Sequence, residues 1–392
     1  MMKEAVIVSA TRTPVGKFGG ALKDMSAPKI GAIAVREAVR RARIEPRDIE
    51  ECIMGNVITA GLGQNPARQA ALWGGLMDEV AALTINKVCG SGLKAVMLAA
   101  DAILAGKEKA IVAGGMENMT NAPYLLEKAR FGYKLFDSSL VDSMVRDGLW
   151  EVYNNYHMGN TGEIVAQRNG VTRIDADKFA LWSHQKSVAA IKSGAFKEEI
   201  VHVELPSKKD VSIFSVDEGP RDDTSLEALA KLKPVFRNDG VLTAGNSSSI
   251  NDGASAVVVM DSELAKERGI KPLVKIVDYV TSGVKPELLM EAPIHAVRKL
   301  LQRNGLEVKG VDLWEHNEAF STASVAIMKV LGIPEDKFNV NGGAVALGHP
   351  IGCSGARVLT TLMYAMRAHD SKRGIATLCL GGGNAVAMLV ER

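Results

Sequence analysis

Apolar residues along this chain group into short runs with the strand pattern and longer runs with a helical period. The strand pattern occupies 5–10, 110–113, 256–260, 272–280, 375–380 and 386–390, and the helical one 30–43, 92–104, 294–303 and 356–367. The alternation predicts an α/β chain. It also repeats. Ala34-Val35-Arg36 recurs as Ala296-Val297-Arg298, Arg41 as Arg303 and Glu45 as Glu307, at one constant offset, and Gly55-Asn56 then matches His316-Asn317. Ser91-Gly92 opens a helix leading to a strand that ends Ala113-Gly114-Gly115, as Ser354-Gly355 leads to one ending Leu380-Gly381-Gly382. The two ends of the chain are predicted to be copies of one unit.

In the second copy the strands at 375–380 and 386–390 are joined by Gly381-Gly382-Gly383-Asn384, a hairpin signal. In the first copy the strand ending near Gly115 meets its expected partner only at 255–260. The pattern therefore places an inserted domain at 119–249, between an N-terminal half formed by 1–118 with 250–270 and a C-terminal half at 271–392. Within the insertion, 176–193 reads as helix, 199–205 as extended chain and 207–224 as polar loop. A stretch of this length between two packed strands is more often functional than decorative.

The chain has 392 residues, beyond the ~150-residue prior for one domain. Its 47 Lys and Arg against 45 Asp and Glu leave a net charge of +2, and 47% of residues are hydrophobic. That balance excludes a disordered chain and argues against nucleic-acid binding as the main role, so an anionic ligand needs a local basic cluster. No apolar run nears the ~20 residues that span a bilayer, and residues 1–4 lead into a strand without a signal-peptide pattern. A cytoplasmic protein with no membrane partner is expected. Cys52, Cys89, Cys353 and Cys379 form no C-x-x-C pair, so neither a disulfide framework nor a metal site is expected.

Cys89 lies in Asn86-Lys87-Val88-Cys89-Gly90-Ser91-Gly92, where the helix begins. The positive end of a helix favours a thiolate and should lower the thiol pKa below ~8.5, while flanking glycines expose backbone N–H groups to a substrate carbonyl. A buried structural cysteine is the competing reading, and the heptapeptide alone leaves the two level. His349, enclosed by Gly342, Gly343, Gly348, Gly352 and Gly355, stands where backbone can approach a ligand. Cys379 ends a strand just before Gly381, at the kind of strand terminus where α/β sites gather. Asn317, in His316-Asn317-Glu318-Ala319-Phe320, follows a strand, and its competing reading is an Asx turn or helix cap.

These segments, with Gly114-Gly115-Met116-Glu117-Asn118, His157-Met158-Gly159, Ala244-Gly245-Asn246, Asn251-Asp252-Gly253-Ala254 and Gly348-His349-Pro350-Ile351-Gly352, resemble the thiolase family from the first strand to the last hairpin. The resemblance implies a five-layered αβαβα fold of two repeated halves with an inserted loop domain. It implies acetyl-CoA C-acetyltransferase chemistry: reversible Claisen condensation of two acetyl-CoA to acetoacetyl-CoA and CoA through an acetyl-cysteine. Cys89 then corresponds to the nucleophile, His349 to its base and Cys379 to the acid/base on the substrate methyl. Asn317 holds a water beside His349 for the enolate oxygen, and the N–H groups of Cys89 and Gly381 take the tetrahedral oxyanion. His157, Met158, Ala319 and Phe320 are implied around the acyl site, Ser248 at the pantetheine end and Arg221 at the nucleotide end of CoA. No cofactor is implied, since the CoA thioesters are substrates. A homodimer or homotetramer tied near residues 124–139 is implied as well.

Two other readings share the motifs: a degradative 3-ketoacyl-CoA thiolase of broader chain length, and a thiolase subunit of a channelling complex. The chain departs from the family pattern at Asn384-Ala385, His316, Ser321 and Cys353. Alternation along a strand predicts that His316 faces away from the substrate if Asn317 faces it.

Overall fold

The computed structural model describes residues 3–206 and 211–392, so the start of the expected 207–224 loop lies outside the described residues. Nine strands carry the fold: β1 (Ala5–Arg12), β2 (Glu51–Gly55), β3 (Ala81–Ile85), β4 (Ala110–Asn118), β5 (Asn251–Asp261), β6 (Val274–Gly283), β7 (Leu313–His316), β8 (Arg373–Leu380) and β9 (Asn384–Glu391). They form one path in the order β7-β8-β9-β6-β1-β5-β4-β2-β3, with Gly16–Lys17 as a further short strand on β5. β4 runs antiparallel to β5 from Met260↔Ala110 to Asp252↔Asn118. The long segment between residues 118 and 251 thus leaves from one end of a fully buried strand pair and returns to it.

The path is two-fold symmetric about its middle. β1 meets β6 only through Val6↔Lys275 and Ile7↔Val274. Outward on one side lie β5, β4 and the parallel β2 and β3; on the other lie β9, β8 and the parallel β7, with the Trp314↔Phe338 bridge where β3 would have its counterpart. In the equivalent ladders Gly55 stands opposite Gly115 and His316 opposite Thr377. This register corrects the sequence pairing of the two glycine-rich strand ends: Gly115 corresponds to Thr377, because Gly114 and Gly115 lie inside β4 whereas Gly381 and Gly382 lie in the turn after β8.

Helices complete five layers. α1 (Ala27–Ala42) and α2 (Pro66–Trp73) cover the outer face of the N-terminal strands. α3 (Ser91–Leu104) and α8 (Ile351–Ala368) pack together at the centre, and α6 (Ala292–Arg303) covers the outer face of the C-terminal strands. Alternation in β1 shows why both sheet faces are buried: Val6 and Val8 join the core under α1, while Ala5, Ile7 and Ala10 join the central core. Between β4 and β5 lie α4 (Gly159–Asn169) and α5 (Arg173–Ser193). The latter begins three residues before the 176–193 expected and is capped by a reciprocal Thr172–Asp175 box. Of the expected 199–205 extension, only the part from Val203 is strand, in a hairpin Val203–Pro206 with Val211–Phe214. α7 (Ser321–Leu331) follows β7.

α3 and α8 touch through glycine. A methyl at Gly92 would lie 2.6 Å from the Ala356 amide nitrogen, and one at Gly355 2.3 Å from that of Leu93. These are reciprocal contacts between equivalent residues of the two copies, and backbone cannot swing aside as a side chain can. Gly355→Ala gains about 1 kcal/mol of helix propensity but loses about 3 to overpacking. Urea unfolding is expected to show a net loss of about 2 kcal/mol, whereas Gly310→Ala, whose methyl meets nothing closer than 3.6 Å, should stay within about 0.5 kcal/mol of the parent.

Candidate active site

Cys89 sits in a tight turn just ahead of α3. Val88 is held at φ 49°, a left-handed conformation that a β-branched residue adopts only under constraint. The constraint is local. Asn86 Oδ1 accepts the Val88 N–H (2.9 Å), and Ser91 Oγ accepts the Lys87 N–H (2.8 Å) while donating to Val88 O (2.7 Å). Gly90 permits close approach to the other copy, since a methyl there would lie 2.1 Å from Leu380 Cδ2. The turn carrying Cys89 and the strand end carrying Cys379 and Gly381 are thereby pressed together.

His349 precedes α8, the equivalent helix. Its N–H donates to Asn251 Oδ1 (3.0 Å), and Asn251 in turn donates to Gly16 O (2.9 Å). Gly348 lies at φ 104°, where a methyl would collide with the Asn251 side chain at 2.3 Å. On the ring, Nδ1 is 2.5 Å from Ser354 Oγ, and the Ser354 hydroxyl donates to Pro350 O at 2.8 Å. With its single hydrogen so engaged, Ser354 accepts from Nδ1–H, which leaves Nε2 unprotonated. Nε2 lies 3.3 Å from Asn317 Nδ2. Asn317 extends β7 by one residue, its N–H donating to Thr377 O (3.1 Å), and its Oδ1 is buried without a partner among the described residues.

Cys89, His349, Cys379, Gly381, His157, Met158, Arg221, Ser248, Ala319 and Phe320 line a single cavity of about 580 Å³. Asn317 stands behind it, fully buried, reaching it through His349. All eleven expected residues are gathered here. His316 is not: its ring packs near Phe338 and bonds Ser324 Oγ at 3.0 Å, and burial pushes its pKa down to about 3. Ser248 donates through both N–H and hydroxyl to Ala319 O (3.1 and 2.8 Å), so it pins the Ala319-Phe320 wall. His157 Nδ1 accepts the Gly159 N–H (3.0 Å), which fixes its orientation.

The sequence reading missed much of the apolar lining. Phe236 stacks on His157 (centroids 4.8 Å, 16°) and meets Phe320 edge-on at 5.7 Å. Met290 places its sulfur 3.5 Å from that of Cys379. Neither lies in a motif: Phe236 is an apolar residue amid a polar stretch, and Met290 ends a short apolar run, Leu288-Leu289-Met290. Lys17 and Phe18 line the mouth with Arg221.

Electrostatics overturn one expectation. The Cys89 thiol is not lowered by its helix but pushed up to about 11, because burial outweighs the N–H groups of Gly381 and Cys89 that face the sulfur and oppose the rise. Burial also pushes Cys379 well above the usual thiol range, with Cys89 beside it adding to the rise, and pushes His349 down to about 3. The resting site is therefore two neutral thiols and a neutral imidazole with a free nitrogen. Such a set can pass protons without first holding charge. Among the described residues no cluster of three or more His, Cys, Asp or Glu is placed to hold a metal, and no helix is long and apolar enough to cross a membrane.

Comparison with known proteins gives the same assignment over the whole length. The thiolase N-terminal domain family matches residues 5–263 and the thiolase C-terminal domain family residues 270–392. The chain is 52% identical to an acetyl-CoA acetyltransferase of Escherichia coli and 51% to one of Cupriavidus necator, in each case over 392 residues and all of both chains. The crystal structure of the Bacillus anthracis acetyl-CoA acetyltransferase superposes with a TM-score of 0.98 at 40% identity, over 100% of this chain and 99% of that one. Its two-fold repeated five-layer fold and full-length matches place this chain in the thiolase family.

Proposed function

We propose that the protein is an acetyl-CoA C-acetyltransferase, joining two acetyl-CoA into acetoacetyl-CoA and CoA. The observation that carries this reading is the convergence of Cys89, Cys379 and His349 on one apolar cavity whose imidazole keeps an unprotonated Nε2. Cys89 Sγ attacks the thioester carbonyl as its proton passes to His349 Nε2. The tetrahedral oxyanion is met by the N–H groups of Cys89 and Gly381, and the departing CoA sulfur takes the proton of Cys379. What remains is acetyl-Cys89, an imidazolium and a Cys379 thiolate.

That pair suits the second half-reaction. The Cys379 thiolate removes a methyl proton from the second acetyl-CoA, and the enolate oxygen is held by His349 Nε2–H with Asn317 behind it. The carbon then attacks acetyl-Cys89. Collapse breaks the C–S bond and returns the proton from His349 to Cys89, while Cys379 keeps the proton it took. Every proton is accounted for, and reversal gives thiolysis. Arg221 and Lys17 at the mouth are the cations suited to the CoA phosphates.

Met158 supports a short acyl chain. Its terminal methyl lies 3.0 Å from where a side chain on Gly381 would begin, so it fills space beside the oxyanion donors. The degradative alternative requires that space to be open. For assembly, Phe131 and Phe136 stand 83% and 89% exposed on the segment implied in oligomer contact, which supports a homodimer or homotetramer; light scattering of the purified chain is expected to exceed the monomer mass.

Incubation with acetyl-CoA should add one acetyl group at Cys89 by peptide mass spectrometry, and Cys89→Ala should lose both label and turnover; full turnover in that variant would exclude the mechanism. Thiolysis should favour acetoacetyl-CoA over a long-chain 3-ketoacyl-CoA, and the reverse preference would favour the degradative alternative. Because burial pushes the Cys89 thiol up to about 11, the deprotonated fraction at neutral pH is small and grows about tenfold per pH unit. Alkylation of Cys89 by iodoacetamide in the absence of substrate should therefore keep accelerating beyond pH 9, whereas a plateau below pH 8 would show a thiolate stabilised by the helix.

A further inference from the structure

The two-fold symmetry of the fold gives the catalytic cavity a mate. Asn56 follows β2 as Asn317 follows β7. Two residues beyond the matched Gly115 and Thr377 stand Glu117 and Cys379, and the match of Ser91 with Ser354 puts Gly352 in the place of Cys89. The mate of the Asn317–Cys379–Cys89 constellation is therefore Asn56–Glu117–Gly352. Both asparagines keep a buried Oδ1 without a partner among the described residues.

Glu117 fills this second site with its own carboxylate. It is fully buried, and four N–H donors converge on it: Oε1 accepts from Asn56 Nδ2 (2.6 Å) and Ile58 N (3.1 Å), and Oε2 from Val57 N (3.0 Å) and Gly352 N (2.8 Å). No cation pairs with it among the described residues. The positive end of α8 supplies the complement. Gly352 is needed for this approach, since a methyl there would lie 2.8 Å from Glu117 Oε2 and 2.7 Å from Met116 O. Where Cys89 N–H would meet a passing oxyanion in the active copy, Gly352 N–H meets a built-in carboxyl group, whose pKa burial pushes up to about 7 against the opposing pull of the four N–H donors.

The donors belong to segments that frame the active cavity. Gly352 lies three residues after His349. Val57 and Ile58, with Met119, Met144 and Ile351, form the apolar cluster on which Val88 and Cys89 pack. We propose that Glu117 is a positioning residue of this site: lodged in the symmetry mate of the catalytic cavity, its carboxylate holds the start of the base-bearing helix and the wall behind the nucleophile in register. The inference rests on the proposed acetyl transfer for its kinetic reading, although not for its geometry.

The full-length Glu117→Gln variant keeps the side-chain size and turns an amide donor toward the converging N–H groups. Thiolysis of acetoacetyl-CoA should lose at least about tenfold in kcat with KM within about threefold, because the reacting groups shift while the binding wall stays. Iodoacetamide alkylation of Cys89 at pH 8, which needs no turnover, should change by at least about threefold. Asn56→Ala, leaving three of the four donors, should show a smaller kcat loss of about threefold, and it carries the test alone if Glu117→Gln fails to fold. A folded variant with kcat within twofold of the parent and unchanged alkylation overturns the inference, as does a loss confined to KM. A parent protein without thiolysis would instead overturn the proposed function, leaving the alkylation comparison to judge Glu117.

Discussion

The constraint that brings the two halves together is the crossing of the two central helices at Gly92 and Gly355, where each α-carbon faces the other helix's backbone with no room for a methyl. Helix axes normally stand 8–10 Å apart because side chains hold them there, and glycine on both sides removes that spacer. The consequence reaches the chemistry. Cys89 lies three residues before Gly92, and His349 six before Gly355, so bringing the crossing close brings the two helix starts close. Residues distant in sequence become neighbours through a contact that involves neither of them.

Burial then sets their character. A helix start favours a reactive thiolate, yet most of the surface of this cavity is apolar, with Met158, Phe236, Leu289, Met290 and Phe320 among its walls. The penalty for a charged sulfur in such surroundings exceeds what the helix and two N–H groups return, which is why the Cys89 thiol rises. The same penalty lowers His349. Opposite shifts in acid and base keep both neutral until a substrate carbonyl gives the new charge a place to go. Stabilisation is then concentrated on intermediates that carry an oxyanion, where fixed donors act most strongly.

The sequence was informative where chemistry coincided with punctuation. Cys89, His349 and Gly381 stand among glycines at the junctions of periodic segments, and Asn317 and Cys379 follow strand patterns, so their positions could be inferred from local rules and the family resemblance. The repeat too was legible, through matched residues in the helices. Its exact register at the strand ends was not, because similar glycine pairs in the two copies serve different purposes: Gly114 and Gly115 allow close packing inside β4, whereas Gly382 and Gly383 supply positive φ in a turn. That slip concealed the equivalence of Glu117 and Cys379. Phe236 and Met290 were hidden for another reason, since apolar side chains acquire a role only from what surrounds them. The direction of the Cys89 shift belongs to the same class, as desolvation is a property of the whole cavity rather than of its heptapeptide.

The two copies divide labour in a way that the segment between β4 and β5 explains. That segment contributes Leu149, His157, Met158, Phe236 and Ser247 to the cavity containing Cys379, where they form walls around an opening large enough for a ligand. Around Glu117, which is fully buried, the backbone of Val57, Ile58 and Gly352 closes in directly. In the proposed reaction, a cavity open to substrate needs groups that can gain and lose a proton as charge comes and goes, and a thiol at Cys379 meets that demand. A closed one has no passing ligand to satisfy the helix's free N–H groups, and unpaired buried donors are costly. A built-in carboxyl group satisfies them whether or not a ligand is bound. Cysteine on one side and glutamate on the other are thus two answers to the same geometric problem, separated by whether solvent and substrate can enter.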